Sequence, residues 1–236
     1  MIDEKLTAVA ENVPQVYAAG QKSEYDRFWD DFQKNGNRTD YEQAFASPQW
    51  NDVTFKPKYD FILGGGYFGY QMFRRITVTN LAETLENQGV RLDTSGCETL
   101  GFMFQSSATQ RIPEINCTGI TNYSNGLEYA FYDCSKLKTI DKLVVTEELS
   151  YNQTFNYDYA LENIVFEGVI GQNVYFGASP KLSRASIENI VDHLSATATG
   201  KTLTLSEAAV IAAYGNLDDE WTTIMSGKDN WTISLV

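Results

Sequence analysis

The sequence predicts an α/β repeat fold, a short solenoid of stacked parallel strands with helices at one end and a mixed α/β segment at the other. Three observations carry that reading. Four phenylalanines, Phe104, Phe131, Phe155 and Phe176, follow one another at intervals of 27, 24 and 21 residues. Behind the last three stands a leucine six residues on (Leu137, Leu161, Leu182), and three residues further Ile140, Ile164 or Ala185. The chain is also 236 residues long and 43% hydrophobic, with 13% aromatics, enough to bury a substantial core. Recurrence at roughly 20–25 residues marks supersecondary units that bury their apolar faces only against one another. On this reading residues 1–60 form an N-terminal helical segment, 61–185 the repeats and 186–236 a C-terminal α/β cap.

The elements follow in order. Ile2, Leu6, Val9, Val13 and Val16 are spaced 4, 3, 4 and 3, a heptad-like seam on a helix that Pro14 interrupts. Two readings of the seam stay open: an amphipathic helix packed on its own domain, or a surface that seeds a homo-oligomer or docks on a larger assembly. Ser23 with Asp26 opens a second helix whose apolar face holds Tyr25, Phe28, Trp29 and Phe32, ended at Asn35-Gly36. Thr39 with Glu42 opens a third, short helix containing Ala44 and Phe45. Gly64, Gly65 and Gly66 read as a turn, because no Lys-Ser/Thr pair follows that would make them a phosphate loop. Asn80 with Glu83 caps a helix through Leu81 and Leu85 that ends near Gly89, and Val90 and Leu92 start a strand.

In the repeats the strands are expected over Leu137–Leu143 and Leu161–Phe166, with each phenylalanine on the returning arc. From Ser186 onward Ile187, Ile190, Val191 and Leu194 follow helical spacing up to Gly200. A strand over Thr202–Leu205, a helix capped by Ser206, another capped by Asp218, and a last strand from Trp231 complete the chain.

Composition narrows the function. A net charge of −13 and a pI near 4.5 argue against a nucleic-acid partner, which needs clustered Lys and Arg. Three widely spaced cysteines without a Cys-x-x-Cys, and a single histidine, His193, fit neither a disulfide framework nor a metal site, and no cofactor motif is present. Cys134 is expected to be a small buried thiol. No basic n-region with an apolar h-region opens the sequence, and no apolar run approaches the ~20 residues of a membrane span. The expectation is a chain that is cytoplasmic when synthesised, or exported by other means such as assembly into a particle released by lysis, with the cell surface as the alternative. Sequons at Asn37, Asn116, Asn122, Asn152 and Asn230 are then chance occurrences.

The unit Leu127, Ala130, Phe131, Cys134, Leu137 and Ile140 resembles the BspA-type leucine-rich repeat, with its Ala-Phe, small residue or Cys, Leu and Ile pattern. The segments Leu161–Phe166 and Phe176–Leu182 are similar to it in part. Around Phe104 the Met103-Phe104 pair is kept, as in related surface-protein repeats, and the leucine six residues on is lost. The resemblance covers about half the chain. It implies a curved leucine-rich-type solenoid used for adhesion or ligand binding, with no catalytic residues to carry over. The stretch Ala10–Gly20 followed by Tyr25, Phe28 and Trp29 resembles N-terminal segments of proteins encoded by gut Firmicutes and their phages or prophages, where such genes often lie beside tail genes.

Chemistry is sparse. A Ser-His-Asp triad would rest wholly on His193, which falls on the polar side of its helix, and no Gly-x-Ser-x-Gly elbow exists. The pairs Glu147-Glu148 and Asp218-Asp219 are adjacent in sequence, which does not set the separation a glycosidase needs. Tyrosines crowd the repeats instead: Tyr123, Tyr129, Tyr132, Tyr151, Tyr157, Tyr159 and Tyr175. Tyr129, Tyr132, Tyr157 and Tyr159 are the candidate ligand-binding residues, because tyrosine offers a large, rigid, amphipathic contact area. The alternative is that they fill the edge of a leucine-poor core. The expected function is a non-enzymatic recognition protein for a protein or glycan on a cell surface, in a phage-tail setting; a spacer or assembly component with no ligand of its own is the second reading.

Overall fold

The computed structural model describes residue 29 and residues 40–67, 69–215 and 219–236. The heptad seam at Ile2, Leu6, Val9, Val13 and Val16 lies outside the described residues, as does most of the second helix. The described chain is α/β, with small parallel sheets that do not close into a barrel. In chain order the elements are β1 (Phe61–Ile62), α1 (Leu81–Gln88), β2 (Leu92–Asp93), β3 (Arg111–Ile112), β4 (Ile115–Asn116), β5 (Thr139–Val145) and β6 (Asn163–Gly168). They continue with β7 (Val174–Phe176), α2 (Arg184–Asp192), β8 (Lys201–Leu205), α3 (Glu207–Tyr214), α4 (Asp219–Met225) and β9 (Trp231–Leu235). Every pairing is parallel: β1 with β2, β5 with β3, β4 and β6, and β8 with β7 and β9.

β3 and β4 pair with successive stretches of β5, Ile112 opposite Ile140 and Ile115 opposite Leu143. Pro113 separates them, since proline brings no N–H to a ladder. Ile112, Ile140 and Ile164 form one buried row, and Ile115, Leu143 and Phe166 the next. Outward-facing side chains make ion pairs across the strands. Arg111 meets Asp141 through two contacts of 2.8 Å, and Lys142 lies between Glu114 and Glu167 at 2.9 and 3.2 Å.

The free edge of β6 is satisfied by side chains of α2. Ser186 Oγ accepts from the Ile164 N–H at 3.0 Å, and Asn189 accepts from the Phe166 N–H at 2.6 Å while donating back to its carbonyl at 3.3 Å. Phe166 is buried, so Asn189→Ala leaves a backbone N–H dry and unpaired. We expect it to cost about 1–3 kcal/mol in urea unfolding; a cost near zero would mean that water reaches this edge.

Six phenylalanine rings run through the core. Phe45, Phe73, Phe104, Phe131, Phe155 and Phe176 stack in sequence with centroids 4.6–5.7 Å apart and planes within 24°. All six are buried. Backbone bonds repeat with the same register: the N–H of Phe45, Phe73, Phe104 and Phe131 each donates to the residue preceding the next ring, Met72, Met103, Ala130 and Thr154. At the N-terminal end Trp29, helical and buried, lies 5.3–6.4 Å from Phe45, Trp50, Phe55 and Phe61, and its Nε1 donates to the Thr54 carbonyl.

The first five rings sit on short turns, bracketed by left-handed residues. Among the described residues nine non-glycine positions have positive φ, and each falls two positions before or after one of these rings. Gln43, Gln71, Phe102, Tyr129 and Gln153 precede; Arg75, Ser106, Asp133 and Tyr157 follow. A left-handed residue stops right-handed winding after one turn, at a cost of roughly 1–2 kcal/mol for a residue with a Cβ. Inter-turn bonds offset this at seven of the nine: Gln43, Gln71, Phe102 and Tyr129 donate to Tyr70, Gly101, Glu128 and Asn152, and Arg75, Ser106 and Asp133 to Gln105, Tyr132 and Asn156.

Several expectations need correction. Residues 42–45 form a turn and not a third helix, because Gln43 is left-handed with φ 53°. Asn80 makes no side-chain cap on α1; Asp52 accepts from the Thr79 N–H instead, while Gly89 ends the helix as expected. β5 and β6 begin two residues after Leu137 and Leu161, whose N–H groups close turns onto Cys134 and Asp158. Phe176 lies in β7 and not on an arc. α2 starts at Arg184 and ends at His193, well short of Gly200; Ser183 caps it by accepting from the Ser186 N–H. Ser206 precedes α3 without a side-chain cap bond.

Candidate ligand-binding surface

The left-handed positions also set the outer surface. There Phe102, Tyr129 and Tyr157 hold their rings away from the ladder, while the phenylalanine two positions away packs inside. Tyr129, Tyr132, Tyr157 and Tyr159, the tyrosines singled out from sequence, lie side by side, with successive ring centroids 5.0, 5.2 and 6.1 Å apart. The band extends further than the sequence indicated. Phe102 stacks on Tyr129 at 4.9 Å, Tyr70 meets Phe102 at 5.6 Å, and Tyr67 meets Tyr70 at 6.4 Å. The result is one ribbon of seven rings crossing four successive turns obliquely.

Exposure is 58% at Tyr67, 51% at Tyr159 and 44% at Tyr157, with Tyr70, Phe102, Tyr129 and Tyr132 half-buried. The planes change direction along the way: Phe102 and Tyr129 are nearly parallel, whereas Tyr129–Tyr132, Tyr132–Tyr157 and Tyr157–Tyr159 meet at 62°, 80° and 63°. Loss of hydration among these rings, then the neighbouring Tyr157 and Tyr129, raises the Tyr132 hydroxyl above its ordinary pKa. Phe102 could have been found from sequence, since it precedes Phe104 by two residues as Tyr129 precedes Phe131. Tyr67 and Tyr70 carry no such signal.

The remaining tyrosines are placed elsewhere. Tyr151 is core, packed on Phe155 and Phe166. Tyr123 and Tyr175 are exposed and make no ring contact with the ribbon.

Polar groups beside the ribbon are mostly neutral. Gln71 and Gln153 occupy the position of Phe102 and Tyr129 on the flanking turns, and Gln105 and Asn156 that of Tyr132. Asp133 accepts from Ser106 Oγ at 3.2 Å and Glu128 from Asn152 Nδ2 at 3.0 Å. Beneath, between Tyr157 and Tyr159, the Asp158 carboxyl is fully buried; Oδ1 accepts from the Cys134 N–H at 2.9 Å and Oδ2 has no partner. Burial pushes this carboxyl well above its usual range, and the nearby Asp133 adds to the effect. Cys134 is buried as expected, and its thiol donates to the Phe104 carbonyl.

Among the described residues, the other candidates are engaged in structural contacts. His193 ends α2, with Nδ1 2.8 Å from the Asn189 carbonyl. Glu147 bonds Ser195 and Thr197. A cleft of about 450 Å³ between α1, β2 and β4 is lined by Leu85, Glu86, Arg91, Thr94, Pro113 and Asn116. Its polar groups already pair, Thr94 with the Asn116 backbone, Arg91 with Asp60 and Glu86 with Arg111. Among the described residues no group of His, Cys, Asp and Glu could hold a metal ion, and no helix is long and apolar enough to cross a membrane. Comparisons with family models, curated proteins and solved structures gave no match.

Proposed function

We propose that the chain is a short leucine-rich-type solenoid of the BspA-like kind, with helices capping its N-terminal end, and that it acts as a non-enzymatic recognition protein. Its partner is a protein or glycan on a cell surface, and its setting is a phage tail or prophage-encoded particle. One observation supports this above the others: seven neighbouring aromatic rings stand at the surface of turns whose core is already filled by its own ladder. Rings that the core does not need, gathered into one band, favour recognition over a spacer role.

Binding of the full chain to a panel of bacterial cells tests the reading. Asparagine accepts left-handed backbone, so Tyr129→Asn with Tyr157→Asn removes two rings without straining the turns. We expect cell binding to fall about 10-fold or more with the thermal midpoint nearly unchanged, and Tyr123→Ser to have no effect. Equal binding by wild type and the ribbon variant would exclude the ribbon as the recognition surface. Loss of folding in the variant would show that the rings are core.

A further inference from the structure

Resting on that recognition reading, we infer that the ribbon takes a neutral, extended glycan chain. The first argument is shape. The ribbon crosses an open face in six steps of 4.9–6.4 Å, each comparable to the length of one pyranose ring. A row of surface rings crossing several turns suits a linear polymer bound along its interior units, and not a compact ligand that needs enclosure.

The second argument is the polar lining. Gln71, Gln105, Gln153 and Asn156 lie on the turns that carry the rings. A carboxamide offers a donor and an acceptor in one plane, as neighbouring sugar hydroxyls require. Asn156 Nδ2 bonds to Gln153 Oε1, which holds both carboxamides in place, whereas Gln105 Oε1 is shielded from solvent. Charge is the third. A net charge of −13 repels an anionic polymer. Asp133 and Glu128, which adjoin Tyr132 and Tyr129 in the chain, are each bonded to a neutral neighbour, and Arg74 and Arg75 share the turn of Phe73. Charges of both signs thus lie on the turns that carry the ribbon, which does not single out a cationic peptide.

The test is native affinity electrophoresis of the full chain in gels containing mixed-linkage β-glucan, glucomannan, xylan, dextran, mannan or polygalacturonate. We expect at least one neutral polysaccharide to retard the chain, with retardation insensitive to salt. Calorimetry with oligosaccharides of that polymer should show affinity rising with length and levelling near the six units matched by the six ring steps. Tyr129→Asn with Tyr157→Asn should abolish retardation. Retardation by polygalacturonate alone, or by none of the gels, overturns the inference. So does cell binding that survives periodate oxidation of the cells but not protease treatment, an outcome that assigns the ribbon to a protein and leaves the recognition reading standing. Cell binding unaffected by loss of the rings overturns both.

Discussion

Replacing Phe131 with alanine is expected to remove about 3–5 kcal/mol of folding free energy, read as a fall in the denaturant midpoint. Phe131 lies mid-ladder, 5.7 Å from Phe104 and 5.6 Å from Phe155, with ring planes within 10° of both. It is 1% exposed, so no solvent takes up the lost contacts. The stacked turns on either side are held by their own backbone bonds, Phe104 to Ala130 and Phe131 to Thr154, which limits how far the gap can collapse. Phe131→Leu retains most of the volume and should cost clearly less. A cost under about 1 kcal/mol for the alanine variant would show that the ladder does not hold the fold.

Asp158→Asn is expected to stabilise the protein at neutral pH, by an amount that grows as pH rises. The folded carboxyl titrates above its unfolded value, because its burial disfavours the charged form. Below the unfolded pKa both states hold the proton and the group costs nothing. Above it the unfolded chain releases the proton first, so stability falls as pH rises towards the folded pKa, at about 1.4 kcal/mol per pH unit. Asparagine keeps an acceptor for the Cys134 N–H and has no proton to lose. Asp60 and Asp93 act in the opposite sense: bonds from Arg91 and Ser95 hold their carboxyls below the usual range, and that stabilisation is lost on acidification. Urea unfolding at about pH 4 and about pH 7 separates these effects. A variant less stable than wild type at both would mean that a charged Asp158 supports the fold.

The buried ladder was legible only in part. Phe104, Phe131, Phe155 and Phe176 stand out through their intervals and the leucines behind the last three. Phe45 and Phe73 continue the same stack, yet Asn51 and Thr79 stand where those leucines would be, so the local frame is lost while the ring contact persists. Left-handed turns were not legible, because Gln43, Arg75 and Asp133 are ordinary residues held in that backbone by bonds to the neighbouring turn. For the same reason Thr39 and Glu42 suggest a helix that Gln43 prevents. The amphipathic pattern of α2 was readable, but its use of Ser186 and Asn189 to satisfy β6 depends on a contact made only in three dimensions.

At the surface, sequence named the tyrosine half of the ribbon and missed the Tyr67, Tyr70 and Phe102 half. The two halves meet only because chain segments about 30 residues apart stack in register, as at Gln71 and Gly101.

On the proposed reading the ladder holds the fold while the ribbon does the recognising. Hydroxyl-radical footprinting of the chain, free and bound to cells, tests both parts at once. The account predicts protection on binding at Tyr70, Phe102, Tyr129, Tyr132, Tyr157 and Tyr159, none at Tyr123 or Tyr175, and unreactive Phe104, Phe131 and Phe155 in both states. Protection centred on Tyr123 or Tyr175, or reactive ladder rings in the free protein, would contradict it.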